Sequence, residues 1–220
     1  MLQIIFCYNF QKLLKRESYE QKQEKKRKQV IKEIEEMNRI IEFLTDNTVY
    51  YYLDTVPKTI GREDSYYDGY QDWCDKSYLP AFAESVTRIT FAMMEYNYAE
   101  VYLEPEFYPK KYSKYVGKNI RNIGFDKLEE IIKHIVLKWQ GSLIIKLVDK
   151  KHREFFIQIK DEWETIFLNL RGKNLKLVKE LARSEGLFLQ KIKDRHWDWE
   201  DLPKSWQDKS YKKWKKFYQK

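Results

Sequence analysis

From Gln11 to Leu44 the chain runs without a glycine or a proline, and no other feature limits its fold so much. Those two residue types end helices by chain entropy and by loss of the N–H donor. The stretch therefore predicts one long helix. In its second half Val30, Ile34, Met37, Ile41 and Leu44 follow spacings of four, three, four and three, an a/d seam. Between Glu17 and Gln29 nearly every residue is polar, so a helix there is solvated and held by pairs such as Glu24 with Lys28. The seam is expected to dock on the chain's own body. A homodimer through this helix is the other use of such a seam, although about two heptads fall short of the three or four that specify a coiled coil. The preceding apolar run, Leu2 to Phe10, reads as a strand or docking segment. It is too short to span a bilayer and lacks a basic leader and a cleavage site.

Beyond the helix the period alternates. Thr48 to Val56 is rich in tyrosine and β-branched residues and reads as a strand. Pro80 suits the first turn of a helix carrying Phe82, Ala83, Val86, Ile89, Ala92 and Met93. Ala99 to Leu103 returns to strand character, and Glu104 to Gly117 reads as a polar connection bearing tyrosines. Asp126 followed by Glu129 resembles a capping box ahead of Leu128, Ile131, Ile132, Ile135, Val136 and Trp139, with Gly141 as the stop. Ser142–Val148 and Glu154–Ile159 form a predicted hairpin, Thr165–Leu170 a further strand, Asn174–Ser184 a helix ended by Gly186, and Leu187–Ile192 a last strand. This irregular interspersion predicts an α+β fold: a mixed or antiparallel sheet with helices on one face, a long N-terminal helix and a short basic aromatic C-terminal tail. The expected organisation is a helical arm over 1–47, a body over 48–193 and a tail over 194–220.

Charge is sorted along the chain. Tyr50 to Glu106 holds eleven Asp/Glu against four Lys/Arg, together with ten of the 17 tyrosines. Lys12 to Lys32 holds nine Lys/Arg against three Glu, and Pro203 to Lys220 seven Lys against one Asp. The net +8 is thus a sum of opposed patches, and local potential steers a partner more than net charge does.

Within the acidic belt, Asp64, Asp68, Asp72 and Asp75 share one face if the segment is helical, beside Tyr66, Tyr70 and Trp73. Like charges at that spacing repel, so the pattern suits a cationic partner. The spacing does not fit a calcium loop, whose ligands recur at every second residue. Tyr66, Asp68, Tyr70, Asp72, Trp73 and Asp75 are accordingly the candidate partner-binding residues, presented outward to a basic protein. This predicts a non-enzymatic binding protein of the immunity or inhibitor type.

Catalytic and cofactor signals are weak. The glycines never cluster into a phosphate loop, so no cofactor is expected. His134, His152 and His196 are widely separated and form no zinc-type pair. His196 stands among Asp194, Asp198, Glu200 and Asp201, but adjacent residues do not face one another, and a working acid–base pair needs groups brought from a distance. Cys7 and Cys74 make neither a disulfide framework nor a thiolate metal site, which fits a cytoplasmic protein with reduced thiols. The alternative function is nucleic-acid binding. Lys204, Trp206, Lys212, Lys213, Trp214, Lys215 and Lys216 of the tail interleave cations with rings, and the Lys-rich arm adds phosphate-neutralising charge.

Overall fold

In a computed structural model the described residues are 2–55, 76–105, 108–138, 140–160 and 163–193, with side chains described from residue 19 onward. The first helix, α1, spans Leu2–Asn47. It absorbs the apolar run read above as a strand: nothing between Phe10 and Gln11 breaks a helix, and a strand there would need a pairing partner. At the other end α1 closes its own carbonyls without a glycine. Thr45 Oγ1 donates to Ile41 O (2.9 Å), Asn47 Nδ2 to Phe43 O (3.1 Å) and Thr48 Oγ1 to Leu44 O (2.7 Å). The chain then enters β1 (Val49–Asp54).

The remaining elements are α2 (Leu79–Tyr96), β2 (Tyr98–Leu103), a 3-10 turn (Lys110–Tyr115), α3 (Phe125–Lys138), β3 (Leu143–Val148), β4 (Glu154–Ile159), β5 (Thr165–Leu168), α4 (Gly172–Ser184) and β6 (Phe188–Lys193). The six strands make one sheet in the order β2-β3-β4-β5-β1-β6, and every neighbouring pair is antiparallel. β1 therefore sits between the two last strands of the chain. The expected α+β fold with its long N-terminal helix and antiparallel sheet is the one observed, but helices cover both faces of the sheet rather than the one expected, because both faces are apolar.

The sheet is apolar on both faces. On one face Val101, Ile145, Ile157 and Phe167 meet Phe82 and Met93 of α2, Ile131 and Ile135 of α3, and Val178 of α4 in the main core. On the other face Ile34, Met37, Ile41 and Leu44 of α1 pack with Tyr102, Ile144, Phe156, Ile166 and Leu168. The period-2 rule places these sets on opposite sides: Ile144 pairs with Gln158 and Ile145 with Ile157. The a/d seam is thus consumed by the chain's own sheet and is not free to join a second copy, which corrects the homodimer expected as its other use.

Two local expectations need adjustment. Asp126 is not the N-cap of α3: Leu128 N–H bonds to Gly124 O (3.1 Å), so Asp126 lies in the first turn, where its charge still complements the helix dipole. Trp139 lies outside the described residues. The β3–β4 hairpin forms where expected. Asp149 holds it by accepting the N–H groups of Lys151 (2.8 Å) and Arg153 (3.0 Å) and the Arg153 Nε (2.8 Å). His152 takes a left-handed turn conformation there, with φ of 57°.

A charged clip ties the helices of the main core. Arg88 Nε on α2 donates to both carboxylate oxygens of Glu185, at 2.9 Å each, and Ser85 Oγ donates to the same carboxylate at 3.1 Å. Lys133 on α3 pairs with Glu129 (2.7 Å) and reaches Glu84 on α2 (3.5 Å).

Candidate functional site

Among the described residues the clearest concentration of unneutralised charge lies where the first helix meets the connection between β2 and α3. That connection is pinned from inside. Pro109 starts the 3-10 turn, with Tyr112 N–H bonded to its carbonyl at 2.8 Å. Tyr112, Val116 and Ile120 point inward and are buried. Asn119 Oδ1 accepts the N–H groups of Val101 (3.1 Å) and Arg121 (3.0 Å), and Ile120 N–H bonds to Val101 O (2.8 Å). The loop therefore closes the outer edge of β2, which would otherwise present unpaired backbone groups. With 112, 116 and 120 inside, Lys110, Lys114 and Lys118 are left outside, and all three are exposed.

From Tyr108 to Lys127 there are six Lys/Arg and one Asp. Among the described residues no carboxylate pairs with Lys110, Lys114 or Lys118. Three other cations are partly neutralised. Lys111 lies 3.6 Å from Glu130, Lys127 pairs with the same carboxylate, and Arg121 lies 3.9 Å from Glu95. Hydrogen bonds from Lys127 and Tyr112 draw the Glu130 carboxyl down to about 2. The Tyr112 phenol is pushed up, first by burial and then by its bond to that carboxylate (3.0 Å). Glu130 thus stays ionised and anchors the inner tyrosine while Lys111 and Lys127 crowd its ring, at 4.6 and 5.6 Å from the centroid.

Gly117 brings the second basic segment to this loop. Its φ is +70°, and a Cβ at this position would lie 2.6 Å from Arg27 Cγ and 3.3 Å from both the Arg27 carbonyl oxygen and Ile31 Cγ1. Only a glycine lets the loop backbone sit this close to α1. Tyr19 to Lys32 of α1 carries six Lys/Arg against two Glu. Lys26 and Lys28 flank Arg27 at about 100° on either side and are exposed. Two lysine-rich stretches far apart in sequence therefore share one rim.

At the end of the loop, where α3 begins, Phe125 is 47% exposed. Phe91 supports its ring edge-on (centroids 4.9 Å apart, 62°), and the Arg121 guanidinium lies 5.8 Å from its centroid. Tyr115 is half-buried under Lys114, whose Nζ is 5.0 Å from the ring.

The residues singled out from sequence fall elsewhere. Tyr66, Asp68, Tyr70, Asp72, Trp73 and Asp75 lie outside the described residues, as do His196 and the tail residues Lys204, Trp206, Lys212, Lys213, Trp214, Lys215 and Lys216. The described part of the acidic belt is not one outward face. Tyr50, Tyr51 and Tyr52 are half-buried in the inner strand β1, Tyr102 is 5% exposed, and Glu84 and Glu95 are paired with internal cations. Burial, followed by the charge of Glu100, pushes the Tyr102 phenol up to about 12.

His134 and His152 are not brought together. His134 stands edge-on to Tyr112 (5.4 Å, 87°) with its pKa lowered by burial and by Lys111, whereas His152 belongs to the hairpin turn. Among the described residues no group of three or more His, Cys, Asp or Glu side chains could hold a metal ion, and no helix is long and apolar enough to cross a membrane. Sequence reading missed the 108–127 loop. Its signal was a local charge tally, which the acidic belt immediately before it concealed. No family model, curated protein or solved structure matches the chain.

Proposed function

We propose that this protein binds nucleic acid through phosphate contacts on the rim formed by α1 and the 108–127 loop. One observation carries the reading: Gly117 packs against Arg27 and Ile31, which brings the loop that bears the exposed Lys110, Lys114 and Lys118 against the helix that bears Lys26 and Lys28. Cations without carboxylate partners gain most from a polyanion, because phosphate contact releases condensed counterions and displaces no internal ion pair. The Lys-rich arm was one half of the nucleic-acid alternative drawn from sequence, and the loop supplies a further cationic element.

The test is anisotropy titration of labelled DNA and RNA oligonucleotides across a salt series. The wild-type protein should lose affinity steeply with salt. Charge reversal at Lys110, Lys114 and Lys118 should flatten the log–log slope by about 2–3, roughly one per lost phosphate contact. An unchanged slope in that variant, or no binding at low salt, defeats the proposal. Purification of the partner-bound protein with and without nuclease separates it from the reading in which Tyr66 to Asp75 hold a basic protein. Recovery indifferent to nuclease would favour that protein partner.

A further inference from the structure

Resting on that reading, we propose that the rim selects unpaired strands over duplex, with Phe125 as the ring on which a base stacks. Phe125 is among the few large apolar side chains left open among the described residues, and it closes the basic 108–127 loop, with Arg121 four residues before it and Asp126 and Lys127 directly after. Lys127 in turn meets Lys111 through Glu130 on another side of α3, while Arg121 is the cation at the ring itself.

The ring is also held in place. It opens α3, the Phe91 edge braces it, and the Arg121 guanidinium lies beside it. A braced ring loses little freedom when a base settles on it. The Arg121 guanidinium alongside, which also lies 3.9 Å from Glu95, adds attraction for the π-system. A duplex hides its base faces, so it can use the lysines but not the ring. A single strand can use both. Tyr115, with Lys114 over it, offers a second, less exposed ring on the same loop.

The experiment compares a single-stranded oligonucleotide, the duplex of the same sequence, and an abasic strand carrying the same phosphates. Wild-type protein should prefer the single strand and bind the abasic strand about tenfold more weakly, within the range that one stacked base provides. Phe125→Ala should weaken single-strand binding by a similar factor and leave duplex binding unchanged. Phe125→Trp, which keeps the platform, should retain or strengthen the preference, and it guards against a fold defect in the alanine variant. Equal binding of normal and abasic strands, or a Phe125→Ala protein that still prefers single strands as wild type does, overturns the stacking role while phosphate binding stands. Absence of binding to all three probes overturns the phosphate reading and this one together.

Discussion

Replacing Gly117 by alanine tests whether the first helix and the basic loop are in contact. Two costs add. An L-residue at φ of +70° loses about 1–2 kcal/mol through the clash of its Cβ with the backbone. The new methyl also meets α1. The 2.6 Å approach is to Arg27 Cγ, which a flexible side chain can relieve, but the 3.3 Å approaches to the Arg27 carbonyl oxygen and Ile31 Cγ1 require the helix backbone and that side chain to give by a few tenths of an ångström. Overpacking of that kind costs about 1–3 kcal/mol, and the movable first contact places this case in the lower half of the range. The control is Gly124→Ala, where φ is +96° and no atom lies within 4 Å of the added Cβ, so only the backbone cost applies. Urea denaturation should show both variants destabilised, with Gly117→Ala lower by about a further 1–2 kcal/mol. Hydrogen exchange should speed up along residues 20–31 in that variant alone. Equal stabilities, or unchanged exchange in the helix, would refute the contact and with it the shared rim.

Two further outcomes follow from the packing and the charged clip. Ile34→Ala, at a side chain with 0% exposure on the second face of the sheet, should cost about 2–5 kcal/mol by urea denaturation; a loss below about 1 kcal/mol would mean that α1 is not seated there. Glu185 has its pKa lowered, first by the hydrogen bond from Arg88, so its contribution is present above the unfolded value near 4.3 and fades as pH falls through the lower folded value. Glu185→Gln should therefore flatten the acid limb of the stability–pH curve and cost about 1 kcal/mol or less at pH 7, because Arg88 is 55% exposed; an acid limb as steep as wild type contradicts the assignment.

Most of the fold could be read from the sequence because its signals are local. Phe155, Ile157 and Ile159 alternate with Phe156 and Gln158, which fixes a strand whichever face is buried, and Asp149 marks the turn before it. The seam from Val30 to Leu44 identified a docked helix. What pairs with what is not local. Nothing in Tyr50 to Leu53 announces that β1 will lie between β5 and β6, since that choice depends on surfaces made by residues more than a hundred positions later. The side of the sheet that α1 covers is equally silent. An a/d stripe fits a sheet or a second copy, and the outcome rests on Phe156 and Leu168, which make the second face apolar. The candidate rim was illegible for the same reason. Its halves are separate lysine clusters until Gly117 joins them, and the value of that glycine lies in an atom it lacks.

The seam and the basic stretch belong to one uninterrupted helix, and this has a mechanical consequence. Burying Ile34, Met37, Ile41 and Leu44 against the sheet fixes the direction of α1, and Arg27 at Gly117 holds the next turn outward. Beyond it Tyr19 to Lys26 are all exposed, so the helical cations project from a fixed base. The loop is fixed independently, through Tyr112 to Glu130 and Asn119 to the β2 edge. Two rigid supports built on different faces of the sheet thus set the spacing between two rows of positive charge. A charged surface held this way has already met the conformational cost of ordering it on folding, and less is left to be met when a polyanion binds. Core burial on the second face and affinity at the rim are therefore two readouts of the same helix placement.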